Sequence, residues 1–487
     1  MSRSLIIIGG GIAGLAAGCY ARMNGFDVEI HEMHHLPGGL CTAWKRQGYT
    51  FDLCIHWLCG SSPGTSLYPV WEELGMVRGR TFLDPEYYTV AFNRTGERFT
   101  VWTDPDRLRE EMLRIAPEDR KFIQKFTGDI RRLMRIDMPV DPGLLDLLKM
   151  LPTLGLFRKY AMPVSELAGE IKNPVLRDLF VSALDWHDQS AVFVMMMLAY
   201  MARKAAGYPV GGSVPVAKAL EERFLSLGGT IRYRSKVLEV IVDDDRATGV
   251  TLEDGTRLPA DIVLSAADGY STLFRWIPEK YVTEKIRGYY RDLRPFPPII
   301  FISLGVAGDY TGQPRSVSFP LKEPVTIAGK HVSGLDVMNH SHDPTLAPPG
   351  KAVLSLFFET DYAYWEQVPY QTDAYREEKD RIGTQILDAM EEFYPGIRDN
   401  VEIIDIATPH TFVRYTGNWK GSYEGWLWTK ESMNLTLPQV LPGLRSFYLA
   451  GQWVAPGGGL PGAALSARKA VQLICKAEGR RFVTSKP

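Results

Sequence analysis

The sequence lacks any apolar stretch long enough to cross a bilayer. Its longest, Ala191 to Met201 (AVFVMMMLAYM), is roughly half of what a membrane-spanning helix needs. The chain is therefore expected to be cytoplasmic and not to span a membrane, with peripheral contact left open. The opening, MSRSLIIIGGG, enters glycines after four apolar residues, too few for a signal-peptide core. Cysteine is scarce: Cys19, Cys41, Cys54, Cys59 and Cys475 are odd in number and lack zinc-type spacing. The four residues between Cys54 and Cys59 fit neither a CxxC redox pair nor a disulfide scaffold, so the thiols read as reduced. Excess charge is missing as well: 55 Lys+Arg against 57 Asp+Glu leave −2, and no dense basic run marks a nucleic-acid partner. Internal repeats and low-complexity tails are absent.

What the chain has is length and glycine. At 487 residues, 45% hydrophobic and 23% charged, two or three domains are expected. Leu5 to Ile8 is a continuous apolar run, as in a strand buried on both faces. It enters Gly9-Gly10-Gly11-Ile12-Ala13-Gly14 and a helical stretch closed by Asn24-Gly25; a second strand, Phe26 to His31, ends at Glu32. Later, a helix capped by Ser213 and closed by Gly228-Gly229 is followed by TIRYRS, KVLEVIVD, ATGVTLED and TRLPADIVLSA, read as an antiparallel meander leading back to a buried strand. Near the end, FYLAGQW is again an apolar strand entering glycines, and a helix follows (GAALSARKAVQLICKA). Between these blocks lie a Met- and Leu-rich helical stretch and a stretch of strands with Pro-rich loops.

The first glycine cluster carries chemistry. Gly9 permits a tight turn, Gly11 lets backbone N–H groups approach a diphosphate, and Gly14 allows close helix–strand packing. The helix N-terminus at Ile12 and Ala13 adds partial positive charge. Glu32 lies 18 residues after Gly14, close to the roughly 20 expected for an acid that binds ribose. A second pair, Gly38-Gly39 before Leu40, and the turn Gly48-Tyr49-Thr50-Phe51-Asp52 then select the nucleotide. A nicotinamide enzyme has no need of glycines there; FAD lies extended, and its ribityl chain passes over such a loop.

These segments resemble the phytoene desaturase-like flavoprotein superfamily, whose members include phytoene desaturases, carotenoid isomerases and retinol saturases. The same resemblance extends to Gly451-Gln452 and to Pro456-Gly457-Gly458-Gly459-Leu460-Pro461-Gly462, running into a helix that includes Ala464. It implies FAD as cofactor, with the C-terminal helix aimed at the flavin's pyrimidine side, where negative charge builds on reduction. It also implies an adenine contact from the backbone of Val237. Many members carry Arg where this chain has Leu40, so the balance of diphosphate charge on that side is open.

The fold implied is α/β: a Rossmann-type FAD-binding domain from three chain segments (1–85, 208–285 and 436–487), an α+β substrate domain from two (86–104 and 286–435), and a helical insertion or lid over 105–207. The activity implied is oxidoreduction at C–C or C=C bonds of a long apolar isoprenoid, carotenoid or retinoid, as saturation, desaturation or isomerisation. The alternatives are a flavin amine oxidase and a non-catalytic FAD protein that binds polyenes. No second strong GxGxxG is present, so the electron carrier is expected to be a quinone, a small carrier or oxygen. Phe51-Asp52-x-x-Ile55-His56-Trp57 resembles the retinol saturase side of the family and makes His56 a candidate proton donor or flavin-orienting group, with a structural role equally weighted. Trp57, Tyr415 and Trp426 are candidate substrate contacts. No metal is expected: His31, His34 and His35 read as solvated loop histidines, and Met195 to Met197 as core or pocket wall. Residues 144–159 are amphipathic, with Lys149, Arg158 and Lys159 available to headgroups, and serve core packing or membrane docking equally well.

Overall fold

The computed structural model describes residues 2–137, 139–141, 153–185, 189–433, 435 and 437–487. The glycine turns sit on a five-stranded parallel sheet in the order Thr230–Tyr233, Asp27–Glu32, Ser4–Ile8, Ile262–Ser265 and Phe447–Leu449. Its central strand has hydrogen-bonded neighbours on both sides and buries Leu5, Ile6, Ile7 and Ile8, which is why that run is apolar without alternation. The helix Ile12–Met23 is buried along nearly its whole length, packed against Ser213–Ser226 and the C-terminal Gly459–Ala477. Glycine permits this closeness. A Cβ on Gly14 would fall 1.9 Å from the Gly9 carbonyl oxygen, and one on Gly18 would fall 2.7 Å from the Phe224 ring. The sheet is a Rossmann-type α/β layer drawn from three separated stretches of chain.

One strand lies elsewhere than expected. Thr230–Tyr233 pairs in parallel with Asp27–Glu32 at the sheet edge, and the antiparallel meander consists of Val237–Asp243, Arg246–Leu252 and Arg257–Pro259. A four-residue strand carries no local mark of the partner it pairs with.

A second, seven-stranded sheet runs in the order Val401–Ala407, Ile299–Ala307, Lys351–Glu359, Lys330–Asn339, Ser316–Ile327, Tyr87–Phe92 and Arg98–Trp102. Side chains alternate across it. Ile300, Ile302, Leu304, Leu354 and Leu356 pack with Ile382 and Ile386 of the helix Asp373–Met390, while Ile299 and Phe301 join a separate cluster with Phe412 and Leu40. Phe301 and Phe357 are register partners on that opposite face.

The helices of the insertion include Pro105–Ile115, Arg120–Leu133, Pro174–Leu184 and Ala191–Ala202. Two of them start at Asp104-Pro105 and Asn173-Pro174, where the acid or amide caps free N–H groups and proline sits at the first helical position. Met112, Ile123, Phe126, Met195 and Leu198 share one apolar core with Trp71 and Leu74. Met195 to Met197 are thus core residues. Lys159, one of the cations available to headgroups, pairs with the buried carboxylate of Asp129 and with Tyr160, and residues 144–152 of that amphipathic segment lie outside the described residues. Among the described residues no helix is long and apolar enough to cross a membrane.

Candidate active site

A cavity of about 700 Å³ runs from the first glycine turn to the N-terminus of the C-terminal helix. Gly9, Gly11, Ile12, Ala13, Glu32, Gly38, Gly39, Leu40, Val237, Gly451, Gln452, Gly459 and Leu460 all line it. Gly11 caps Ile12–Met23 with no side-chain hydrogen bond, and Gly458 caps Gly459–Ala477 in the same way. Two helix ends with free N–H groups therefore belong to one elongated space. A Cβ on Gly11 would meet nothing closer than the Gly39 Cα at 3.8 Å, so the space over that turn is open. Glu32 is held by the N–H groups of Gly10 at 2.6 Å and His34 at 2.7 Å; burial raises its pKa against those bonds.

Several expected contacts stand behind the wall instead of on it. Gly14 packs against the turn, and Ala464 is fully buried in the helix. Pro461 does not face the cavity, and Gly458 abuts Glu424: a Cβ there would lie 2.5 Å from the Glu424 Cβ. Asp52 is buried away from the cavity. Its Oδ2 accepts the Ser213 N–H at 2.6 Å, and its Oδ1 accepts the Ser213 hydroxyl at 2.6 Å and the Cys54 N–H at 3.1 Å. It caps the helix Ser213–Ser226 from across the chain, and burial, opposed by those bonds, lifts its carboxyl to about 6. Ser213 is accordingly the first residue of that helix, not its cap.

The aromatic candidates divide. Tyr415 lines the large cavity and meets His34 edge-on, centroids 4.9 Å apart, which puts it on the nucleotide side. Trp426 is fully buried, gives its Nε1–H to the Trp453 carbonyl at 3.0 Å and stands perpendicular to the Trp453 ring. It supports a cavity-lining residue and is core, not a substrate wall. His31, expected in a solvated loop, is a buried strand residue with Nδ1 2.8 Å from the Ser235 hydroxyl. All five cysteines are free.

Beside the large cavity lies an apolar pocket of about 70 Å³, walled by Leu40, Leu53, Cys54, His56, Ile299, Phe301, Phe357, Phe412, Tyr423 and Glu424. It shares Leu40, Cys54, Tyr423 and Glu424 with the cavity. On the far side, His56 and Phe357 also wall a third space of about 100 Å³ with Trp57, Tyr88, Leu184, Met201 and Arg315. His56 thus divides two pockets and does not line the large cavity. Burial, then the neighbouring Arg315 and the His342 ring, lowers its pKa to about 4, so it is neutral at physiological pH. Arg315 donates to the His56 carbonyl at 3.0 Å.

Sequence reasoning missed several groups. Lys236, Arg275 and Arg414 line the nucleotide cavity, and the Lys236 ammonium pairs with Glu253 at 2.7 Å. Asp268 is buried on its wall and fixes the N–H groups of Ser271 and Trp419. Glu424 stands where cavity and apolar pocket meet. All come from separated segments without a recognisable spacing; only Asp268 had a local signal, as the acid ending the strand DIVLSAAD.

A flavin-type dinucleotide is the class of ligand this site accommodates: two uncapped helix ends, an open glycine cradle and a buried acid lie along one cavity. The model of the flavin containing amine oxidoreductase family matches residues 12–475, and the chain belongs to that family. It is 24% identical over 487 residues to a chloroplastic prolycopene isomerase of Daucus carota, covering 95% of this chain and 78% of that one. A neurosporene-forming phytoene desaturase of Cereibacter sphaeroides is 28% identical over 512 residues, with 96% and 94% covered. The all-trans-retinol 13,14-reductase of Danio rerio is 25% identical, with 92% and 82% covered. Among solved structures, an oxidoreductase from Methanosarcina mazei superposes with a TM-score of 0.61 at 18% identity, covering 96% of this chain and all of that one. The chain is a phytoene desaturase-like flavoprotein, and its cofactor is FAD.

Proposed function

We propose that this flavoenzyme changes C–C or C=C bonds in a long, thin, apolar isoprenoid or polyene. The observation that carries the reading is the succession of spaces: nucleotide cavity, apolar pocket against Ile299, Phe301, Phe357 and Phe412, then the third pocket past His56. An extended hydrocarbon that follows this line of spaces brings one bond to the flavin end.

The N–H groups of Ile12 and Ala13 bind the diphosphate, Glu32 holds ribose, and the helix beginning at Gly459 offsets negative charge at the ring. FAD, when bound, supplies hydride transfer to or from carbon. The phenylalanines of the second sheet hold the chain and exclude water. Neutral His56, its ring 6.3 Å from that of Phe357, orients the bound chain. We place electron exchange with a quinone, a small carrier or oxygen, and place any membrane contact at the insertion, where Leu154 is exposed.

The test is extraction and mass analysis of any co-purifying lipid, then anaerobic mixing of that lipid with oxidised and with reduced holoenzyme. Flavin bleaching marks desaturation, flavin reoxidation marks saturation, and product without net flavin change marks isomerisation. Turnover of primary amines with peroxide release marks an amine oxidase instead; against it, the glycine loop holds no cysteine and Cys475 is buried in the following helix. A flavin that reduces while no polyene changes marks a non-catalytic lipid binder.

A further inference from the structure

We propose that Glu424 is the proton-exchanging residue of the carbon–carbon chemistry, giving a proton to, or taking one from, the carbon next to the one that exchanges hydride. The proposal rests on the reading above that the apolar pocket holds an isoprenoid or polyene.

The position is defined by walls. Four residues border both the nucleotide cavity and the apolar pocket: Leu40, Cys54, Tyr423 and Glu424. A group that reaches substrate and flavin together must come from that set. Leu40 has no exchangeable proton on its side chain. The Cys54 thiol is held protonated, first by its hydrogen bond with Cys41 and then by burial. The Tyr423 phenol is driven far up by burial, with Glu424 and Glu359 adding to the effect. Only the Glu424 carboxyl is left.

Glu424 is also held in place. The Gly458 Cα lies so close that a Cβ there would fall 2.5 Å from the Glu424 Cβ and 2.7 Å from its carbonyl oxygen. The carboxyl carbon would lie 3.2 Å from the same Cβ, so the carboxyl stands beside the first residue of the helix Gly459–Ala477, the end expected to meet the flavin ring. No hydrogen bond or ion pair ties its carboxyl to any described residue. Burial alone lifts it to about 7, the range in which an acid can both give and recover a proton near neutrality. The titratable groups around it are Cys54 and Cys41, Tyr423 with Glu359 behind it, Asp52 through Cys54, and neutral His56 across the pocket. None of them is a cation, so none pulls the carboxyl down.

The balance closes in each direction. In saturation the C=C bond takes a hydride, with its electron pair, on one carbon and the Glu424 proton on the other, leaving two C–H bonds and a carboxylate. In desaturation the carboxylate takes a proton as hydride leaves the neighbouring carbon for oxidised FAD. In isomerisation Glu424 protonates one carbon, the adjacent bond rotates, and the same carboxylate recovers the proton, with no net redox change.

The experiment compares FAD-loaded wild type with Glu424→Gln and Glu424→Asp, after equal FAD content and unfolding temperature are established. The visible flavin spectrum is titrated from pH 5 to 9, and turnover is followed with a polyene. Wild type is expected to show a proton-linked spectral shift with a midpoint around 7 that is missing in Glu424→Gln. Glu424→Gln turnover is expected to fall by about 10²–10⁴-fold with little change in KM, while Glu424→Asp recovers part of the rate with a displaced pH profile. A wild-type spectrum without that midpoint, an unaltered midpoint in Glu424→Gln, or turnover within threefold of wild type overturns the proposal. If no polyene is converted by wild type, the functional reading fails, and the spectral titration still decides whether Glu424 ionises against the ring.

Discussion

The two glycine turns at opposite ends of the chain look alike as sequence and differ as structure. Each follows a buried strand, each opens a helix with no capping side chain, and both helix ends face one cavity. At the N-terminal turn, the missing side chain of Gly11 leaves open space. At the C-terminal turn, the missing side chain of Gly458 is filled by the protein itself, in the form of Glu424. The first turn is shaped for a ligand. The second is shaped for a neighbouring loop, and touches the ligand through that loop as much as through its own backbone.

Substitutions can break that contrast, and they fall in order of size. The largest effect belongs to Gly14→Ala, because its Cβ would lie 1.9 Å from the Gly9 carbonyl oxygen, and backbone in a packed turn does not give. A loss of roughly 3 kcal/mol or more is expected, read as a lower urea midpoint with FAD absent. Next is Gly458→Ala, which meets Glu424 at 2.5 Å and demands φ near +60°; about 1–3 kcal/mol and FAD should be lost together. Gly11→Ala sharpens the comparison: apo-protein stability should move by less than about 1 kcal/mol, while FAD retention falls at least tenfold. If Gly11→Ala loses stability as Gly458→Ala does, the two turns are alike after all. Glu32→Gln is the smallest: the amide oxygen can still accept from ribose, so FAD should weaken by about 1 kcal/mol in a fluorescence titration.

The same contrast separates what could be read in the sequence from what could not. The glycine turns, the buried strands and the ribose acid are local, with spacings set within some thirty residues, so the nucleotide cavity was legible. The apolar pocket is not local. Phe301 and Phe357 face each other across a strand pair, and which of two alternating faces looks toward the flavin is decided by the helix Asp373–Met390 on the other side. Asp52 sits in a motif that points to the cofactor, yet its partner is Ser213; a capping bond across 161 residues has no signature at either end. Trp426 and Tyr415 lie eleven residues apart in the sequence, but one is core and the other a cavity wall. Glu424, two residues before Trp426, carries no local mark, because its role depends on where Gly458 comes to rest.

Assembly from three stretches has a consequence for biogenesis. Strand Ser4–Ile8 is flanked by Asp27–Glu32 and by Ile262–Ser265, and the sheet is completed by Phe447–Leu449. The helix Ile12–Met23 is covered only when Ser213–Ser226 and Gly459–Ala477 arrive, and Asn24 at its end exchanges hydrogen bonds with Val483. During synthesis this apolar helix must wait more than four hundred residues for its covering, at some 5–20 residues per second. Such distant contacts are slow to form and expose surface that invites aggregation. A nascent chain of this protein therefore carries that uncovered surface until the last of the three stretches has emerged, and the FAD cavity, which draws on all three, is complete only then.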